Sequence, residues 1–174
     1  SPPAAPPVAT PAQSLLSLEQ HILGLLLRFP DLLYRLDRAL QEEGLERLSS
    51  ADFSSAEHQT LLRLIQESLE QDLVEPLQYV LQQLSLPLLE ITDTILEKTR
   101  GLESNLSRLL DDLLRAVLQR RQRSLNQQID YLRFALQEAS ENEPAVDPSF
   151  QHKMLLLTQT RFKLDKALKK VTSH

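Results

Sequence analysis

The chain has 174 residues with a formal net charge of −5, 41% hydrophobic residues, three Gly and no Cys. That length suits one ordinary domain or a domain with an appendage, and the apolar content is compatible with a buried core. The missing Cys exclude disulfides and thiolate metal sites, and with no apolar run near the ~18 residues of a membrane span and no leader segment at the start, the covered chain reads as cytosolic.

Residues 1–14 (SPPAAPPVATPAQS) hold five of the ten prolines and no charged side chain, so they read as a flexible, extended Pro/Ala-rich linker. Such a stretch fits either a junction to an upstream domain or an extended natural terminus. Ser17, with Gln20 three residues on, fits a capping box that opens a helix with Leu18, Ile22, Leu25, Leu26 and Phe29 on its apolar side. Pro30 ends that helix, and a second runs from Pro30 or Asp31 to about Gln41 with Leu32, Leu33, Leu36 and Leu40 spaced for burial and Gly44 as terminator. In the polar break 49–55, Asp52 or Ser54 can cap a third helix, whose stripe is Leu61, Leu62, Ile65 and Leu69, while Phe53 suits a hydrophobic staple. Two shorter helices begin near Pro76 and Pro87, and Gly101 closes the block.

Next comes a stretch from Ser104 to about Ser140 with neither Pro nor Gly, whose leucines recur at helical spacing from Leu106 to Leu136. One helix of that length spans about 55 Å, more than a compact core needs, so part of it projects. Two prolines in 141–148 break it. A last helix then carries Phe150, Met154, Leu157, Leu164 and Leu168 at spacings of three and four, matching a seam of Leu125, Ile129, Leu132 and Leu136. The leucine-rich, Gly-poor composition and this pattern predict an all-α protein. Its expected parts are the linker (1–14), a bundle of about five to six helices (15–118) and a C-terminal helical hairpin (119–174) that shares the long helix with the bundle.

Charge divides the same way: residues 1–104 carry sixteen acidic against seven basic side chains, and residues 105–174 eight against twelve. The basic half, at +4 over 70 residues, falls short of a strong nucleic-acid footprint. On a helical wheel Tyr131 and Phe134 stand away from the seam of the long helix, and Leu155 and Phe162 form a second stripe on the last one. Apolar residues outside the seam of a two-helix arm have no core of their own, which makes Tyr131, Phe134, Leu155 and Phe162 candidates for a partner interface. Arg120, Arg121 and Arg123 fan around the long helix as a salt-bridged surface or a contact for an acidic partner.

No converging set of catalytic residues is evident. His21, His58, His152 and His174 show no i,i+4 pairing and no HExxH, so they read as structural, and no metal or other cofactor is expected. Glu42/Glu43 and Asp111/Asp112 diverge by about 100° on a helix and read as solvated surface. Phosphate-binding glycine motifs are missing too, so an enzyme is not expected.

The segment 18–33 (LEQHILGLLLRFPDLL) resembles the opening of the C-terminal helicase-binding domain of bacterial DnaG-type primases. Residues 49–71 (SSADFSSAEHQTLLRLIQESLEQ) are similar to that family's second segment, and the long helix with 155–168 (LLLTQTRFKLDKAL) looks like its closing hairpin. The resemblance covers about Ser17 to Val171. It implies a non-catalytic interaction domain that binds the N-terminal domains of the hexameric replicative helicase, recruits primase to the replication fork and modulates the helicase. The family's zinc-binding and RNA-polymerising domains are not in this sequence. The N-terminal domain of DnaB-type helicases is similar and is the alternative; it would self-associate, whereas the primase domain is expected to be a monomer when isolated.

Overall fold

The computed structural model describes residues 1–8, 10–102, 105–142 and 147–173, and among these the secondary structure is helical throughout, without a strand. The first helix, α1 (Pro11–Arg28), starts seven residues earlier than the spacing predicts. Thr10 caps it, accepting from the Gln13 N–H while the Gln13 side chain accepts from Thr10, and Pro11 occupies the first turn, where its missing N–H costs nothing. Ser17 therefore lies inside the helix, and the extended stretch stops short of Ser14. At the other end Phe29 donates to Leu25 O and leaves the helical region, as the residue before Pro30 must.

Helix α2 (Leu32–Glu42) ends as expected at Gly44. With φ at +70°, Gly44 lets its own N–H reach Gln41 O and the Leu45 N–H reach Leu40 O, which satisfies two terminal carbonyls. A 3-10 turn, Ser50–Asp52, follows, and the cap of α3 (Ala56–Ser68) is Ser55, whose hydroxyl accepts from the His58 N–H. Asp52 and Ser54, the expected caps, are engaged elsewhere. Phe53 is buried, but with the cap at Ser55 it stands two residues before the cap, one short of the staple position. Helices α4 (Pro76–Gln83) and α5 (Leu86–Lys98) each carry a Pro in the first turn, and Gly101 adopts a positive φ after α5.

Helix α6 (Leu106–Asn142) has the predicted length of 37 residues, shifted two residues toward the C-terminus, and its start is capped by Asn105, whose side-chain Oδ1 accepts from the Ser107 and Arg108 N–H groups. The predicted opening residue Ser104 and residues 143–146 of the predicted break lie outside the described residues. Helix α7 (Pro148–Thr172) begins at the Asp147 cap, whose carboxylate accepts from the Ser149 N–H.

Helix α1 is the centre of the bundle. It packs against α3, α4, α5 and α6 at once, so Ile22, Leu23, Leu25 and Leu26 are fully buried although they point in several directions around it. One approach is very close: a Cβ on Gly24 would stand 2.3 Å from Thr99 Cγ2 at the end of α5. The first half of α6 adds Leu109, Leu113, Val117 and Leu118 to this core.

The second half of α6 pairs with α7, the most extensive helix pairing in the molecule. Its seam follows the predicted spacing, but burial is graded. Leu125, Ile129, Leu132 and Leu164 are buried, whereas Leu136, Phe150, Met154, Leu157 and Leu168 are only partly so. Near the bundle a third layer covers the seam; toward the far end two helices have only each other.

Candidate protein-docking surface

The hairpin carries a large exposed apolar surface. Tyr131 is 76% exposed, Phe134 60%, Leu155 54% and Phe162 71%, although the seam beside them is filled by the hairpin's own leucines. All four residues singled out from the wheel therefore face away from the packed interior. Leu156, which the spacing argument did not select, is also exposed. Its position between the seam and the Leu155 stripe was the available signal.

The four do not form one patch. Tyr131 borders a cavity of about 320 Å³ floored by Leu132, Phe150 and Leu157, with Lys153 and Gln128 at its edge. Phe134 lies about 60° further round α6 on the same flank, by its three-residue offset from Tyr131. Leu155 and Phe162 stand within about 60–80° of Asp165 on α7. Asp165 accepts from Gln122 Nε2 at 2.8 Å, on the flank opposite the cavity. The hairpin thus offers an apolar slot on one side and an apolar ridge on the other.

The three arginines, expected as a salt-bridged surface or a contact for an acidic partner, have different surroundings, and the first two are ion-paired. Arg120 is 5% exposed, and its Nε stands 3.6 Å from Glu19 Oε2. Arg121 donates Nε to Asp52 Oδ1 at 2.7 Å and Nη2 to Asp52 Oδ2 at 2.9 Å, and it also donates to the carbonyls of Glu46 and Arg47. A bidentate carboxylate and two carbonyls take four of the five N–H donors of the guanidinium. Arg121 is therefore a brace between α6 and the loop after α2, and Arg120 an internal ion pair; neither offers a free cation at the surface. Arg123 remains exposed and donates to the Ser14 hydroxyl.

Glu19 anchors the other half of this junction. Its side chain is fully buried, and Oε1 and Oε2 accept from the Ser54 N–H and hydroxyl, both at 2.7 Å, with His58 Nδ1 at 3.3 Å. Burial pushes its carboxyl up, but the hydrogen bonds from His58 and Ser54 and the charge of Arg120 outweigh this and hold it below the usual carboxylate range. Asp112 is likewise held low, by a hydrogen bond from His21 at 2.9 Å set against burial. His21 and His58 are thus structural, each paired with a carboxylate, whereas Asp112 and Glu43, read as solvated, are engaged: Asp112 is hydrogen-bonded to His21, and Glu43 is ion-paired with Lys170 Nζ at 2.6 Å. His152 is exposed, and His174 lies outside the described residues.

Beside the Arg121 brace lies the larger cleft of the junction, about 660 Å³, between the end of α2 with its following loop and the flank of α6 and α7. Among the described residues no group of three or more His, Asp or Glu side chains is placed to hold a metal ion. No described helix is long and apolar enough to cross a membrane. Comparison with protein-family models, curated proteins and solved structures finds no match for this chain.

Proposed function

We propose that the chain is a protein-interaction module whose α6–α7 hairpin is the docking arm, with its partner the N-terminal domains of a hexameric DnaB-type replicative helicase. One observation carries the docking reading: the hairpin keeps its own seam filled and still turns Tyr131, Phe134, Leu155 and Phe162 to solvent. Exposed aromatics beside a slot deep enough for one apolar side chain are the usual anchors of protein interfaces. The choice of helicase as partner rests on the resemblance of residues 18–33, 49–71 and 155–168 to primase helicase-binding domains. In that setting the bundle modulates the helicase and the arm recruits primase to the fork, without catalysis, cofactor or membrane contact by this domain.

Two double variants test the arm flank by flank: Tyr131→Ala with Phe134→Ala, and Leu155→Ala with Phe162→Ala. Titration calorimetry against the helicase N-terminal domain is expected to show at least a tenfold loss of affinity for the flank that docks, about 1.4 kcal/mol or more, with helicity unchanged by circular dichroism. Full affinity in both variants would remove the hairpin from the interface.

A further inference from the structure

The cleft at the junction of bundle and hairpin has the volume of a small-molecule site, which typically holds about 300–1,000 Å³. Its lining is rich in cations. Arg47 comes from the loop after α2, Arg120 and Arg121 from α6, and Lys163 from α7. The acids opposite them are fewer and partly spent: Asp52 receives two bonds from Arg121 and a third from the Ser49 N–H at 3.0 Å, which leaves Glu46.

Arg121 spends four of its five N–H donors on Asp52, Glu46 and Arg47, but the other cations are less engaged. Arg47 and Lys163, on opposite walls, donate no side-chain hydrogen bond among the described residues. Lys163 Nζ stands 4.0 Å from where a Cβ on Gly44 would be, so it reaches across toward the end of α2. Arg120 is buried, and its Nε has no hydrogen-bond acceptor; Glu19 Oε2 at 3.6 Å offers charge without a bond. The Ser49 hydroxyl accepts from the Ala51 N–H and keeps its own proton uncommitted. Two exposed cations that donate no hydrogen bond thus face an open cavity of this size, and an oxyanion supplies the acceptors they lack.

We infer that this cleft binds a small polyanion, a molecule bearing two or more phosphate or carboxylate groups, held between Arg47 and Lys163 with Ser49 as a further donor. Because one cation belongs to the bundle and the other to the hairpin, the bound anion ties the two together. The inference stands whether or not the docking arm binds a helicase.

The test is thermal unfolding of the full chain in sodium pyrophosphate or citrate, against chloride at the same ionic strength, for the native chain and for Arg47→Ala with Lys163→Ala. Both replaced side chains are exposed and hold no internal hydrogen bond, so the variant retains its helicity, which circular dichroism checks. A saturating ligand is expected to raise the native melting temperature by about 5 °C or more, and the variant by less than a third of that. A shift with pyrophosphate alone assigns the site to phosphates, with citrate alone to carboxylates, and with both to either class. No shift in the native chain, or an equal shift in the variant, which is general salting of the fold, overturns the inference.

Discussion

Arg120 and Arg121 are neighbours on one helix with opposite fates. Arg121 reaches the loop after α2 and makes four hydrogen bonds with its guanidinium, whereas Arg120 is buried with a single counter-ion. Glu19 makes that burial tolerable, and it does so by being satisfied itself through Ser54 and His58. Glu19→Ala leaves the Arg120 charge without its carboxylate, and chemical denaturation should show a loss of about 3 kcal/mol or more. The same group shapes the pH response. A carboxyl whose pKa is depressed by folding contributes stability that is full above its unfolded value, about 4.3 for Glu and about 3.9 for Asp, and that disappears as pH falls through the folded value. Glu19 and Asp112 both act in this sense, while Asp37, pushed up mainly by burial, acts against them. Stability is therefore expected to fall below about pH 4, and Glu19→Gln, measured by urea titration between pH 6 and 3, should flatten that fall. Neither arginine announced its partner in the sequence, because Glu19 and Asp52 lie 101 and 69 residues away. A weaker signal was present: Arg121 is four residues from both Val117 and Leu125, in line with the buried stripe.

At the scale of elements, what could be read locally was read well. Period, proline and glycine placed α2 to α7, since each depends on side chains within a few residues. Gly44 and Gly101 adopt the positive φ that a helix terminator requires. The start of α1 escaped because the Thr10–Gln13 cap sits in a Pro/Ala-rich stretch that reads as a linker, and the cap of α3 moved to Ser55 because Ser54 is held by Glu19. The crossing of α1 and α5 was invisible to pattern. Gly24 lies in a helix with an ordinary backbone, and only the packed structure shows that Thr99 occupies the space a side chain would need. Thr99 is itself fixed, accepting from Arg28 Nε and donating to Ile95 O, so it cannot simply turn away. Gly24→Ala, which would gain helix propensity elsewhere, is expected here to destabilise by roughly 1–3 kcal/mol in chemical denaturation. An increase in stability would mean that the two helices separate more freely than their packing indicates.

For the molecule as a whole, the charge asymmetry seen in the sequence is partly consumed inside it. Arg120–Glu19, Arg121–Asp52 and Lys170–Glu43 each join a basic residue of the C-terminal half to an acidic residue of the N-terminal half. The first two are shielded from solvent and the third is exposed on its lysine side, so salt weakens the third most. The all-α architecture and the sharing of one long helix were legible, because both follow from periodicity and from a break-free stretch. The separation of the candidate surface into two flanks was only partly legible, since the wheel orders residues around one helix but not around a pair. If the primase-like reading is right, sedimentation velocity on the isolated chain should give a single species near its 19.9 kDa mass. A ring or stable dimer would favour the related helicase domain instead.

The brace at Arg121 gives α6 mechanical meaning. It grips the helix nearer its start than its end, leaving 21 of the 37 residues beyond it, a reach of about 32 Å. A stiff rod held near its middle is a lever with the loop after α2 as fulcrum. A tilt of about 10° at that point carries the far end through roughly 5 Å, about the rise of one helical turn. A small rearrangement where Asp52 grips the rod would thus arrive at Tyr131 and Phe134, about 15 and 20 Å beyond the fulcrum, as a movement of roughly 3 Å, and at the far end as one as large as the spacing between successive side chains on a face.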